Sequence, residues 1–477
     1  MKKTLVILTI LLIFASMGIV SAEDISLDEV NSTSLDLNDN ISENTSHNHT
    51  SIPDMAIKKS TITASGGTFS QLQSIINSAS SGDTITFTGN YVYNSATDSL
   101  TGITINKNLI FEGNGHYLNG LDTARIFRVT STTIDLTFNN LKFYNGMGQV
   151  SSGYYYGGGL YAEGVKNSYF KFNYCDFITN NAGPTGVSQT RGGGLYINSG
   201  LGNYNYVLID HCNFLNNTAF GTVANYGSSL YIRSYALDII NTTFFGNGGW
   251  TISPICRVGN IIDSIFISND DCSFAGYSEG SYRLTHFVSR CIFFDNNYSS
   301  YGVPEELFDS SYDTVVDCWW GTNNPDFYTI SNGDIPETWV VMNFTNDAPF
   351  SSGGGTTTLT TTLNWVYNHT SNLYQPLVGD LPLRNVTYAA NTGSLTPSSD
   401  EFSGSTSVSY TYSGLSNLYL NATIDNQVIS VANPALYGSF TELQYLIDTI
   451  PVGGTLSLTK IILMILLVIC VLLMECF

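Results

Sequence analysis

Gly157-Gly158-Gly159-Leu160-Tyr161 returns as Gly192-Gly193-Gly194-Leu195-Tyr196 and, in worn form, as Gly227-Ser228-Ser229-Leu230-Tyr231, each copy 35 residues after the last. A fixed period of this length is the mark of a stacked repeat architecture. Between the glycine copies runs a second signature, an aromatic followed three residues later by asparagine: Phe177/Asn180, Phe214/Asn217, Phe244/Asn247, Phe266/Asn269 and Phe293/Asn296. Two alternating motifs in one period predict two coils of about 17 residues each, the size of one turn of a parallel β-helix. The later phenylalanine spacings, 22 and 27, read as single enlarged coils.

In Cys175-Asp176-Phe177, Cys212-Asn213-Phe214 and Cys291-Ile292-Phe293 the cysteine and phenylalanine are two apart and share one face of a strand. Stacking places like on like, which predicts a phenylalanine ladder inside the fold. Asparagine and the triple glycine both tolerate left-handed backbone, so both are expected at corners. Each motif is therefore read as structural.

The 477-residue chain has a net charge of −21 and only 12% charged residues. An acidic chain without basic patches argues against nucleic acid as a partner. Residues 1–22 read as a secretory signal, with Met1-Lys2-Lys3, an apolar run from Leu5 to Val20 and a small-residue cleavage site at Ser21-Ala22. An extracellular or cell-surface location follows. Eight cysteines are too sparse for a disulfide scaffold, and their spacing does not match a zinc site. On the two-coil period Cys175 and Cys212 would be about 9.6 Å apart, too far to bridge, so free thiols are expected.

Residues 23–60 read as a disordered acidic spacer with glycosylation sequons at Asn31, Asn40, Asn44 and Asn48. Further sequons lie at Asn216, Asn241, Asn297, Asn343, Asn368, Asn385 and Asn421. The parallel β-helix is expected over 61–350. Thr68-Phe69-Ser70-Gln71 opens a short capping helix whose stripe is Phe69, Leu72, Ile75 and Ile76, with Gly82 ending it. Cys318-Trp319-Trp320-Gly321-Thr322-Asn323-Asn324-Pro325 closes the repeats. Alternating segments at Leu363–Tyr367, Arg384–Ala389, Ser407–Tyr412, Leu418–Ile424 and Gln427–Val431 predict a small antiparallel sandwich over 356–433, immunoglobulin-like in size. Residues 434–460 repeat the capping segment, with Ser439-Phe440-Thr441-Glu442-Leu443-Gln444 echoing Thr68 to Gln73. The apolar run Ile461–Met474 within the 461–477 tail would span about 21 Å as a helix against about 30 Å of hydrocarbon, and no basic residue follows it. It reads as a remnant standing in place of missing repeats, with membrane association through 461–474 as the alternative.

The glycine and Phe-x-x-Asn repeats, the capping helix, the Trp-Trp-Gly-Thr-Asn-Asn-Pro segment and the strands after it together resemble the adhesin-like surface proteins of methanogenic archaea. The paired repeats also resemble those of chlamydial polymorphic membrane proteins. The resemblance covers residues 60 to 460 and implies an all-β chain: a right-handed parallel β-helix with an immunoglobulin-like module, displayed on the cell surface and serving in attachment. It supplies no catalytic residues, no metal site and no cofactor.

The function expected is non-catalytic binding of cell-surface glycans or proteins of another cell. Tyr154, Tyr155, Tyr156, Tyr204 and Tyr206 are the candidate ligand contacts, because amphipathic rings stack on sugars. The alternatives are a β-helix polysaccharide lyase or hydrolase and a structural coat spacer. A lyase would draw on Asp263, Asp270 and Asp271 with Arg257, Arg283, Arg290 and His286, which also read as ordinary loop polars. Gly276-Tyr277-Ser278-Glu279-Gly280 fits a hydrolase elbow by letter only. His47 and His49 are a weak metal signal inside the spacer.

Overall fold

The computed structural model describes residues 59–433 apart from 222–223, 271–273, 275–277, 298, 301–302, 305–306, 348–349, 351–352 and 415–417. The signal segment, most of the spacer with its four sequons and both histidines, the 434–460 repeat and the 461–477 tail lie outside the described residues.

The chain is almost entirely β, and residues 61–316 form long parallel sheets in three rows of short strands. The first row runs from Thr61–Ala64 through Asp135–Asn139, Tyr169–Asn173 and Tyr206–Asp210 to Thr314–Val316. The second runs from Gly67–Thr68 through Asp176–Ile178 and Asn213–Leu215 to Ile292–Phe294. The third contains Ile103–Ile105, Phe127–Val129, Leu160–Glu163 and Leu195–Asn198. The long strands Leu230–Ile240 and Ile252–Ile262 pass from the third row into the first without a break, which joins those rows into one 14-stranded sheet.

Leu160 pairs with Leu195 and Leu195 with Leu230, while Phe177 pairs with Phe214. One period therefore takes the chain once through all three rows, and the expected pair of 17-residue coils is incorrect. The glycine and phenylalanine motifs occupy different rows of the same turn, since a strand's parallel partner is the next copy of its own motif. Bonds along the asparagine ladder span 34, 37, 30, 22 and 27 residues in succession. The last two, expected to be enlarged coils, are the shortest turns: in the 22-residue one Ile252–Ile262 runs from the third row into the first with no intervening loop, and the 27-residue one has no third-row strand.

The second-row phenylalanines stack face to face: Phe143 on Phe177 at 4.4 Å, Phe177 on Phe214 at 4.7 Å, Phe214 on Phe244 at 4.9 Å, Phe244 on Phe266 at 4.7 Å and Phe266 on Phe293 at 4.9 Å. Trp320 extends the column at 4.7 Å from Phe293. All are buried, and each ring contributes roughly 1.5–3 kcal/mol through burial.

Asparagine behaves differently from the expectation. Asn180, Asn217, Asn247 and Asn269 are buried side-chain ladder members, while the left-handed residue is the one before each: Thr179, Asn216, Gly246 and Ser268. Asn217 donates to the Phe177 carbonyl at 2.8 Å and to Asn247 Oδ1 at 3.1 Å, and its own Oδ1 accepts the Asn180 backbone N–H at 3.0 Å. Every corner amide is thus satisfied without water. The glycine triplets also divide their labour. Only Gly157, Gly192 and Gly227 have positive φ. A Cβ on Gly159 would lie 2.5 Å from the Gly194 carbonyl oxygen, so there the constraint is close backbone approach.

Cys175 and Cys212 are neighbours rather than two levels apart, with the Cys175 backbone N–H 3.4 Å from Cys212 Sγ. They remain free, as do Cys256, Cys291 and Cys318. Thr242 and Ser264 continue the same position with hydroxyls, which identifies the thiols as small buried acceptors for the next backbone amide.

Helix Phe69–Ser78 has the expected capping box, Thr68 bonding the Gln71 amide and Gln71 bonding back. Phe69, Leu72 and Ile76 are buried in the same core as the ladders. The helix ends at Ala79, before Gly82, with Lys107 Nζ donating to the carbonyls of Ile76, Asn77 and Ala79. A cation at that end also suits the helix dipole.

From Thr338 the strand pairing is antiparallel, apart from one parallel bridge from Trp339 back to Cys318. Thr338–Asn346, Gly355–Asn368, Ser405–Tyr412, Ser394–Thr396 and Leu373–Pro376 form a 5-stranded sheet. Ser399–Phe402, Arg384–Ala390, Leu418–Ile424 and Gln427–Asn433 form a 4-stranded one. The five strands expected here are present. Thr338–Asn346, which the sequence reading gave to the parallel region, is an antiparallel partner of Gly355–Asn368.

Adjacent tryptophans point in opposite directions along one short stretch. Trp320 belongs to the core of the parallel rows and Trp319 to the core of the antiparallel region. Trp319 Nε1 donates to Asp425 Oδ2 at 2.7 Å, and Asp425 also pairs with Arg384.

Candidate binding groove on the tyrosine face

On third-row strands the register places Tyr161, Tyr196 and Tyr231 in one outward column, with ring centroids 5.3 and 5.2 Å apart. Outward aromatics would be exposed on a bare sheet. Here they are buried, because Tyr154–Tyr156, Gln189–Arg191 and Ala224–Tyr226 form a further parallel layer beside them. Burial, reinforced by the Glu163 carboxylate that accepts its hydroxyl at 2.7 Å, pushes the Tyr196 phenol well above its ordinary pKa. Tyr196 therefore stays a neutral donor.

A groove of about 440 Å³ opens where this column ends. Its walls include Arg191, Tyr226, Tyr231, Arg233, Trp250 and Glu279. Tyr226 and Trp250 meet edge to face at 4.6 Å. The Arg191 guanidinium carbon lies 5.2 Å from the ring centroids of both Tyr226 and Tyr231. Arg233 pairs with Glu279, which sits on the hairpin of Ser278–Glu279 and Tyr282–Arg283. Flat aromatic surface beside guanidinium, amide and carboxylate groups suits a polyhydroxylated ring, whose C–H face packs while its hydroxyls bond.

The candidate tyrosines fall into separate places. Tyr156 packs at 4.7 Å on Tyr196, and Tyr154, 36% exposed, lies edge-on to Tyr156 at 6.4 Å. Tyr155 is half-buried. Tyr204 is 63% exposed and rests on Tyr235 at 5.1 Å. Tyr206 lies in the first row, stacked on Tyr169 at 5.4 Å with its hydroxyl donated to Asp238. They do not make one patch, and the groove residues Arg191, Tyr226, Tyr231 and Trp250 were missed. The register of Gly-x-x-Leu-Tyr was the available signal, since it puts the tyrosine outward opposite each inward leucine.

The acidic and basic residues weighed for catalysis are divided among separate contacts. Arg290 holds Asp263 through two hydrogen bonds of 2.7 and 3.0 Å. Arg257 lies over Tyr235 and Tyr282, each at 5.0 Å, and Arg283 over Tyr312 at 5.0 Å. Asp270 is exposed, and Asp271 lies outside the described residues.

His286 is buried, its Nδ1 2.9 Å from Asp313 Oδ1 and its Nε2 3.0 Å from the Pro254 carbonyl oxygen. Burial opposes its charge, but the adjacent Cys256 sulfur and the Asp313 carboxylate prevail and hold its pKa up to about 10. The imidazolium is thus a doubly anchored donor inside the fold. Among the described residues there is no cluster of three metal-ligating side chains, and no helix is long and apolar enough to cross a membrane.

Of the sequon asparagines, Asn216, Asn241, Asn297 and Asn385 are exposed, whereas Asn343, Asn368 and Asn421 are half-buried. Asn421 is further engaged by the Ser430 hydroxyl at 2.7 Å. No protein-family model and no curated protein matches this chain.

Proposed function

We propose that the protein is a non-catalytic, adhesin-like surface protein that binds glycans on its tyrosine face. In this reading the parallel rows are a β-helix, the antiparallel region is an immunoglobulin-like module, and the signal segment directs both outside the cell. The observation that carries it is the groove of Tyr226, Trp250, Arg191 and Arg233, which combines ring surfaces with polar groups at the edge of a rigid sheet. A binding role is favoured over a lyase because Asp263 and His286, the strongest residues for acid and base chemistry, are held by Arg290 and Asp313.

The mature chain applied to a glycan array should retain a restricted set of sugars, and Trp250→Ala or Tyr226→Ala should abolish that retention while leaving the unfolding temperature within a few degrees. Retention unaffected by either change would move the binding elsewhere. Depolymerisation of any retained polysaccharide, lost in Asp270→Asn, would overturn the non-catalytic reading.

A further inference from the structure

Three arginines approach the tyrosine column, and their charges are handled in three ways. Arg125 is buried and donates to the carbonyls of Tyr156, Gly157 and Gln149 at 2.7, 2.9 and 3.2 Å, with its guanidinium carbon 4.4 Å from the Tyr161 centroid. Its role is to hold the outer layer to the ladder. Arg233 is neutralised by Glu279. Arg191 has no carboxylate partner among the described residues: it lies over two rings, makes one long contact of 3.5 Å from Nη1 to the Tyr231 hydroxyl, and its buried Nε bonds to nothing.

In a chain of net charge −21, this uncompensated guanidinium lies in the wall of the groove. Of the two nearby carboxylates that would repel an anion, Glu279 lies in the groove wall and is offset by Arg233, while Glu163 lies outside that wall. Glu163 accepts from Tyr196 at 2.7 Å and from Asn198 at 3.1 Å, and Glu279 is held by Arg233. A planar cation beside flat aromatic faces is complementary to a sugar ring carrying an acidic substituent, because the ring packs while the anion takes charge-assisted hydrogen bonds.

We propose that the groove selects an anionic saccharide, with Arg191 as the contact for its acidic group. This rests on the glycan-binding reading above and sharpens it to a ligand class.

The test is titration of the mature chain, in low salt, with an oligogalacturonate and with a neutral galacto-oligosaccharide of equal length. The acidic probe should bind about tenfold tighter, a preference that added salt erodes. Arg191→Gln should remove the preference and Arg191→Lys should keep part of it. Glu279→Gln, which releases Arg233, should enlarge it, so the proposal has a gain as well as a loss to meet. Equal affinity for both probes, or an acid preference that survives in a folded Arg191→Gln protein, would overturn this inference and leave the glycan-binding reading standing. Binding of neither probe, with array hits also absent, would overturn both.

Discussion

The parallel and antiparallel halves solve the same problem, filling a β core, in opposite ways. In the parallel rows each residue's neighbour is its own counterpart one period away, so columns of identical side chains build up: phenylalanine, asparagine, tyrosine, and cysteine with hydroxyls. In the antiparallel region, cross-strand partners come from unrelated positions. Leu359 pairs with Val408, Val386 with Asp400, and Trp365 with Pro376. Identity along a column allows face-to-face stacking and continuous side-chain hydrogen bonding, but it also ties every turn to the next. Stability in the first region is therefore expected to be cooperative along the columns, and in the second to be set pair by pair.

The hardest test of that contrast is Phe214→Ala. Removing one ring from the middle of the column should cost roughly 3–5 kcal/mol and loosen Phe177 and Phe244, read as lost amide protection in both flanking turns. If protection is lost only around residue 214, the column is not acting as a unit. Asp425→Ala probes the seam, because it strips Trp319 Nε1 of its acceptor and leaves Arg384 without its carboxylate. A loss of about 3 kcal/mol is expected, with the two halves then unfolding in separate steps in calorimetry. A single unchanged transition would mean the halves are coupled by other contacts.

Asn217→Ala should cost about 2 kcal/mol, since the Asn180 backbone amide and the Phe177 carbonyl lose their partner in a buried setting. Chemical denaturation would show it, and a loss no greater than that of Tyr155→Ala would remove the ladder's claimed role. The pH dependence tests a single buried group. His286 is more basic in the fold than its ordinary 6.5, so its contribution is complete below that value and is lost as pH rises through about 10. The unfolding midpoint should therefore fall between those limits, and His286→Gln should flatten the fall. Tyr155→Ala, at a half-buried outer position, should change stability by less than about 0.5 kcal/mol.

Much of the parallel architecture was legible because repetition exposes it. The Phe-x-x-Asn and Cys-x-Phe spacings identified the inward column, and the capping helix followed from its box and stripe. The size of a turn was misread because two motifs in one period look like two units when rows cannot be told apart. One further signal was in plain view. The outward position next to the phenylalanine column runs Asp176, Asn213, Thr243, Ile265, Ile292, Trp319, from polar to apolar. That gradient marks where the antiparallel region covers the second row, as Ile292 and Trp319 in its core confirm.

Local order in this molecule comes from the sequence directly: strand alternation, helix capping, and which residues must stack once strands repeat in parallel. Those features depend on near neighbours or on a constant period, and both are written linearly. The groove and the seam are different in kind. Arg191 and Trp250 line one groove across a chain separation that no period encodes. The tyrosine column is buried only because a second layer happens to lie over it. Asp425 finds Trp319 across 106 residues. Contacts of that sort arise from how whole sheets pack, so only the folded chain could decide which tyrosines are ladder, which arginine lines the groove without a carboxylate, and where a ligand could enter.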